Sequence, residues 1–133
     1  MNLKTTKQRR GVTAVEFALT VPILFLFLFG TYEMGRANMM MHTTEAAAYE
    51  GARAAMVPGA TAQEAIDAAE SVLVTVGIRE ADITVTPSDL GGTTETVRVN
   101  ISFRYQDNTL MFPFFLGEDA RVDRTCELSR ELL

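Results

Sequence analysis

The chain begins with a short basic segment and continues into an uninterrupted apolar run. Residues 1–11 contain no acidic side chain and four basic ones: Lys4, Lys7, Arg9 and Arg10. From Val12 to Tyr32 the only charged side chain is Glu16. As a helix this run would be about 31 Å long, roughly the hydrocarbon thickness of a bilayer. Because residues 23–29 are apolar on every helical face, we predict a membrane-spanning helix.

The apolar run fits either a cleaved secretory signal or a retained anchor. A secretory signal ends in small residues, whereas residues 30–33 read Gly-Thr-Tyr-Glu, with an aromatic and a charged side chain. We therefore favour a single-pass anchor. Four positive charges precede the span and only Glu33 and Arg36 follow closely, so the N-terminus is expected in the cytoplasm, with the remainder exported across the inner (cytoplasmic) membrane.

The helix is expected to continue beyond the span as far as Val57, where Pro58-Gly59 ends it. Small and apolar residues recur there at helical spacing, at Ala37, Met40, Met41, Thr44, Ala47, Ala48, Gly51, Ala54 and Ala55. This stripe either covers the protein's own sheet or contacts neighbouring subunits. We favour the first, because a small domain needs the surface for its core.

The remaining residues predict a second helix and a three-stranded sheet. Thr61-Ala62-Gln63-Glu64 is a capping-box pattern that starts a helix, and Gly77 is its expected end. The apolar period then changes to two, predicting strands at 83–86, 96–105 and about 120–128. We expect an antiparallel sheet packed on the helices, an α+β fold. The chain divides into a leader (1–11), a long helix (12–57) and an exported α+β domain (58–133).

Residues 110–116, Leu-Met-Phe-Pro-Phe-Phe-Leu, form the most apolar stretch outside the span. The stretch is too short to cross a bilayer. If exposed, it would mark an interaction or membrane-surface site, and if folded under, it would complete the core. The pattern leaves both interpretations open.

Composition limits the chemistry. The chain has 133 residues, of which 47% are hydrophobic and 22% charged, an ordinary balance for one globular domain. With Cys126 as the only cysteine and His42 as the only histidine, it can form neither an intramolecular disulfide nor a Cys/His zinc site. We interpret Cys126 as a small buried hydrophobic residue and His42 as a surface or packing residue. No motif places a catalytic carboxylate pair or a phosphate loop, so we expect no enzyme activity, cofactor or small-molecule substrate.

Charge argues against a nucleic-acid partner. Beyond residue 11 there are 8 basic and 17 acidic residues, a net charge of −9, and no basic stripe. Phosphate backbones would be repelled by such a surface.

Glu16 is the unexpected residue of the span. A carboxylate at the bilayer centre costs about 2.5–3.5 kcal/mol, so it needs either a shallow position or a partner. One interpretation places Glu16 at headgroup depth, one turn into the helix. The other starts from Gly11: if the chain were cut after this glycine, Glu16 would become the fifth residue of the product. A basic leader, a glycine, a fifth-position glutamate and an apolar helix together resemble type IV prepilins.

Within that superfamily the sequence resembles the TadE-like family, minor pseudopilins of the tight-adherence (Tad/Flp, type IVb) pilus. The resemblance covers about residues 9–57. It is carried by Arg-Arg-Gly-Val-Thr-Ala-Val-Glu-Phe-Ala-Leu at 9–19, Pro22, Gly30, Glu33-x-Gly35-Arg36 and the small, arginine-containing stretch at 46–55. It implies cleavage between Gly11 and Val12 by a prepilin peptidase, and a role for Glu16 and Phe17 in processing and assembly. The implied partners are that peptidase, other pilin subunits, the Tad assembly machinery and membrane lipid.

The local chemistry agrees with these expectations. Glycine before the scissile bond gives backbone freedom and an unhindered approach. Cleavage would give Val12 a new α-ammonium group, which Glu16 could neutralise in its own or a neighbouring subunit. Pro22 removes one helical hydrogen bond and is expected to kink the span. The alternative function is a permanently anchored periplasmic binding or adaptor protein, for which Gly11 would be incidental.

Overall fold

A computed structural model describes residues 4–90, 96–109, 115–117 and 119–129, with side chains from Gly11 onward. The first element is α1, a single helix from Lys4 to Ala55, about 78 Å long. The predicted continuation of the span into a long helix is confirmed. The helix stops two residues before Val57, because the amides of Met56 and Val57 form tighter turns onto the carbonyls three residues back, at 3.2 Å.

The second helix, α2, runs from Ala62 to Val74 and has the predicted capping box. The Glu64 amide donates to Thr61 Oγ1 at 3.3 Å, and the Thr61 amide donates back to the Glu64 carboxylate at 2.9 Å. The chain leaves α2 through Gly77, whose φ of +77° is the left-handed conformation that glycine adopts most easily. The predicted start and stop signals are both confirmed.

The three strands are β1 (Asp82–Thr86), β2 (Thr96–Arg104) and β3 (Arg121–Ser129). They form an antiparallel sheet in the order β1-β2-β3, which confirms the predicted α+β fold. In β2 the apolar residues Val97, Val99, Ile101 and Phe103 are buried. The opposite face carries pairs such as Arg98 with Glu127 at 2.7 Å and Asn100 with Asp123 at 2.9 Å. One face of the sheet therefore covers the core while the other lies in solvent.

The core lies between this sheet and the two helices. From α1 it receives the small-residue stripe, of which Met40, Thr44, Ala47, Ala48, Gly51 and Ala55 are buried and Ala37, Met41 and Ala54 are half-buried. The neighbouring Ala52 is buried as well. A side chain added at Gly51 would place its Cβ 3.0 Å from the Ala65 carbonyl oxygen and 3.2 Å from Ala69 Cβ, so α1 and α2 approach closely there. The stripe thus covers the protein's own sheet and second helix, the interpretation favoured from the sequence.

Candidate functional site

The N-terminal half of α1 projects away from the domain. Every residue from Gly11 to Thr20 is exposed, and large apolar side chains remain exposed farther along, such as Leu24 at 63% and Phe27 at 70%. A helix with an apolar surface on all sides needs an apolar environment to cover it. By length and composition α1 can cross a membrane, and it fits a single-pass membrane anchor.

The residues predicted for processing lie together near the start of this projecting helix. Gly11 has open space around it, since a Cβ added there would meet nothing within 4 Å. Val12 and Glu16 are one helical turn apart and share a face, and Phe17 follows with 69% of its side chain exposed. Pro22 lies inside α1, and the helix continues through it. The structure thus places all five predicted residues on exposed turns of one helix.

At its C-terminal end the apolar run meets the α+β domain through Glu33. This carboxylate is buried, with 6% exposure, although it comes one residue after the apolar run. The Phe115 amide donates to its two oxygens at 3.0 Å each, and the Leu116 amide donates to Oε1 at 2.8 Å. Backbone N–H groups bound to an ionised carboxylate make short, strong hydrogen bonds. Glu33 therefore fixes the end of the apolar 110–116 stretch against the helix.

One turn farther along α1, Arg36 holds the segment between β2 and that loop. Its Nη2 donates to the Asn108 carbonyl at 3.1 Å. The buried Asn108 side chain in turn accepts from the Arg79 amide at 2.9 Å and the Glu80 amide at 3.4 Å, tying this segment to the turn after α2. The Glu33 and Arg36 contacts together form what we call the junction, through which the domain is attached to the C-terminal end of the apolar run.

Tyr105, at the end of β2, completes the junction. It is 2% exposed, and its hydroxyl donates to the Glu33 backbone carbonyl at 3.3 Å. Burial raises the pKa of the Tyr105 hydroxyl, although a hydrogen bond with Thr109 acts in the opposite direction. A tyrosine hydroxyl is protonated at neutral pH even at its ordinary pKa, so burial only widens the pH range over which it can donate this bond. The junction thus joins the sheet, as well as the loop, to α1.

Two residues at the end of the apolar 110–116 stretch, Phe115 and Leu116, are described, and they differ in exposure. Phe115 is 52% exposed, whereas Leu116 packs against the core. The Phe115 ring lies beside Gly30, where an added Cβ would come within 3.3 Å of it. Residues 110–114 lie outside the described residues. The structure therefore decides between a surface and a core position only for Phe115, which is at the surface, and Leu116, which packs on the core.

His42 and Cys126 have the surroundings expected of structural residues. His42 is 71% exposed, with Nδ1 4.0 Å from Glu45. Cys126 is half-buried against the core, somewhat less buried than predicted, and burial raises the pKa of its thiol. Within the described ranges, no group of three or more His, Cys, Asp or Glu residues could hold a metal ion.

The sequence pattern predicts a processing segment, which stays a prediction, but the junction was not predicted from it. Glu33, Gly35 and Arg36 were noticed only as a family motif and as charges flanking the span. The partners of Glu33 and Arg36 lie 72 to 83 residues away along the chain, so helical or strand periodicity carries no signal of the contacts. One sequence feature could have indicated the junction: a glutamate lies directly after the apolar run. A charge that is buried at such a position needs a hydrogen-bonding partner.

The comparisons with known proteins point to the same helix. The family model described as TadE-like protein matches residues 11–53, from the predicted cleavage glycine almost to the end of α1. This match confirms the TadE-like resemblance recognised from the sequence and associates the chain with the minor pilins of the Tad pilus, which are structural proteins. No curated protein and no solved structure matches the chain.

Proposed function

We propose, from the TadE-like character of residues 11–53, that this protein is a minor prepilin that is cut after Gly11 and then used to assemble or initiate a Tad-type adhesion pilus. The observation that carries the proposal is that the family match begins at Gly11 and includes the whole projecting, exposed part of α1 as well as its packed half. The protein acts as a substrate and a building block, with no chemistry of its own.

Cleavage after Gly11 is supported by the local structure of α1. The residue lies inside the helix, so a peptidase must locally unwind this turn to reach the scissile bond. Glycine is about 1 kcal/mol less favourable than alanine in a helix, which lowers the cost of opening the backbone here. The open space around Gly11 leaves the bond unhindered once the turn is unwound.

Glu16 has the position required of a counter-charge for the new N-terminus. After cleavage the α-ammonium of Val12 would lie one helical turn from the Glu16 carboxylate, on the same exposed face. A pair of opposite charges is tolerated in lipid better than either charge alone. Because Glu16 is exposed, it can equally meet the amine of a neighbouring subunit, which would guide one subunit onto the next.

The proposed topology follows from the charges flanking the helix. The four basic residues before Gly11 remain in the cytoplasm, and the domain beyond Tyr32 lies outside the inner membrane. In this orientation the bond after Gly11 faces the cytoplasmic side, where the prepilin peptidase would cut. Other pilin subunits and the Tad machinery then receive the processed protein.

Replacing the span distinguishes a pilin from an anchored adaptor protein. In a host lacking this chain, the wild-type protein should restore surface pili. A variant whose residues 1–30 are exchanged for an unrelated uncleaved single-pass anchor keeps the junction residues and the domain at the same membrane. We expect this variant to be produced and membrane-bound yet to give no pili, because an assembled subunit needs its own α1.

Electron microscopy of surface pili is the measurement, with membrane fractionation and immunoblotting to show equal amounts of both proteins. A chimera containing residues 1–30 of a second TadE-like protein is the matched control and should restore pili at least in part. Full piliation with the unrelated anchor would mean that the domain works merely by being tethered, as the adaptor alternative requires.

A further inference from the structure

The position of Phe115 relative to the span sets its depth with respect to a membrane. Its ring lies beside Gly30 and, with Leu26, Phe27 and Met34, lines a shallow apolar groove along α1. The apolar run ends at Tyr32, only about 3 Å of helix rise beyond Gly30. If α1 crosses the bilayer, Phe115 is therefore at the level where the outer hydrocarbon boundary meets the headgroups.

The groove is continuous with the surface that the span presents to lipid. Phe27 is 70% exposed and Leu26 is 49% exposed on the same stretch of helix, and Phe115 adds a half-exposed ring beside them. Aromatic side chains are enriched at both membrane–water interfaces. The four residues before Phe115 in the sequence are also apolar or proline, and the first charged residues after it are Glu118 and Asp119, three and four positions on.

Backbone at this depth needs its polar groups satisfied within the protein. Water becomes scarce toward the hydrocarbon boundary, where an amide without a protein partner would be left unpaired. The Glu33 carboxylate meets this need, because it accepts hydrogen bonds from the amides of both Phe115 and Leu116. The same bonds account for a buried acid directly after the span. The Tyr105 hydroxyl on the Glu33 carbonyl keeps this turn of α1 attached to the sheet.

From these observations we infer that Phe115 inserts into the outer interfacial layer of the bilayer beside α1, so that the exported domain contacts lipid at a second point. The partner is the glycerol and upper acyl region of the phospholipids. This inference rests on the membrane anchor in the proposed function. Two contacts restrict rotation of the domain about the span and hold α1 at a fixed depth, with Gly11 and Glu16 at the opposite side.

Tryptophan fluorescence tests the inference directly, because the chain contains no tryptophan. Three full-length variants are reconstituted at low protein density in vesicles of phosphatidylethanolamine and phosphatidylglycerol: Phe115→Trp, Phe27→Trp and Tyr49→Trp. Each is measured with and without lipids brominated near the glycerol end of the acyl chains. Phe27 marks the span, and Tyr49, 53% exposed, lies about 28 Å beyond Gly30 on the same helix.

We expect the tryptophan at position 115 to emit at shorter wavelength than the one at position 49 and to lose intensity in brominated vesicles, as the one at position 27 does. The tryptophan at position 49 should not be quenched.

If position 27 is quenched but position 115 behaves like position 49, the inference is wrong while the anchor stands. Blue-shifted emission at position 115 without bromine quenching would mean that protein, such as a second copy, covers the ring instead. Absence of quenching at position 27 would overturn the anchor and the inference together.

A spin label covers the case in which a tryptophan disturbs the loop. Phe115→Cys in a Cys126→Ala background is labelled in the same vesicles, and its collision rates with oxygen and with a water-soluble nickel chelate are compared. At position 115 we expect oxygen to relax the spin label more effectively than the nickel chelate does. At a Tyr49→Cys control we expect the reverse. A higher nickel accessibility at both positions would place Phe115 in water and contradict the inference.

Discussion

Gly51→Leu is expected to destabilise the exported domain by about 3 kcal/mol, lowering its melting temperature by about 10 °C or more. At Gly51 the first atom of a side chain would already lie 3.0 Å from the Ala65 carbonyl and 3.5 Å from Val99 Cγ1. A leucine must push α2 and the sheet away from α1, since cores resist added volume. The measurement is thermal unfolding of the full chain in detergent, followed by circular dichroism.

Gly35→Leu is the matched control on the same helix. A Cβ at Gly35 meets nothing within 4 Å, so only helix propensity changes. Leucine is favoured over glycine by about 0.5–1 kcal/mol in a helix interior, and this variant should be as stable as the wild type or slightly more so. Similar melting temperatures for the two variants would contradict the close approach of α1 and α2 at Gly51.

Glu16→Ala is expected to abolish or severely reduce surface pili while leaving membrane insertion and cleavage after Gly11 largely intact. Removing one member of a charge pair in a low-dielectric environment costs about 3–5 kcal/mol, because the other charge is left uncompensated. Here the charge left behind is the Val12 ammonium created by cleavage. Each subunit interface that uses the pair would be weakened more than a hundredfold by such a loss.

The effect is measured by counting pili in electron micrographs, and processing is followed by the size of the protein in membrane extracts. Glu45→Ala is the control, because Glu45 is also on α1 but is 71% exposed beyond the membrane segment. It should support normal piliation. Normal pili in Glu16→Ala cells would show that Glu16 has no part in assembly and would leave its location at headgroup depth as the explanation.

Secondary structure was predictable because local patterns decide it. The capping box at Thr61, the left-handed glycine at Gly77 and the alternation along β2 each depend on neighbours within a few residues. The end of α1 was predicted two residues too late, since helix ends depend on the turn that the last amides adopt. The processing segment stays a prediction, drawn from one continuous stretch of chain.

Contacts between distant segments were not predictable from one sequence. The bonds from the Phe115 and Leu116 amides to Glu33 join residues more than eighty positions apart and involve backbone groups that any residue possesses. Packing of the small-residue stripe on the protein's own sheet was favoured but not fixed by the sequence for the same reason, because a shallow helix face suits either a sheet or another subunit. Only the packed structure shows that α2 and the sheet occupy it.

The N-terminal residue of the mature protein tests the central claim most directly. The full-length chain is expressed in its native host, extracted from membranes and analysed by mass spectrometry, with a strain lacking the prepilin peptidase as the control. The account predicts a chain that begins at Val12 in the first strain and retains residues 1–11 in the second. An intact leader in cells with an active peptidase would contradict it and favour a permanently anchored protein.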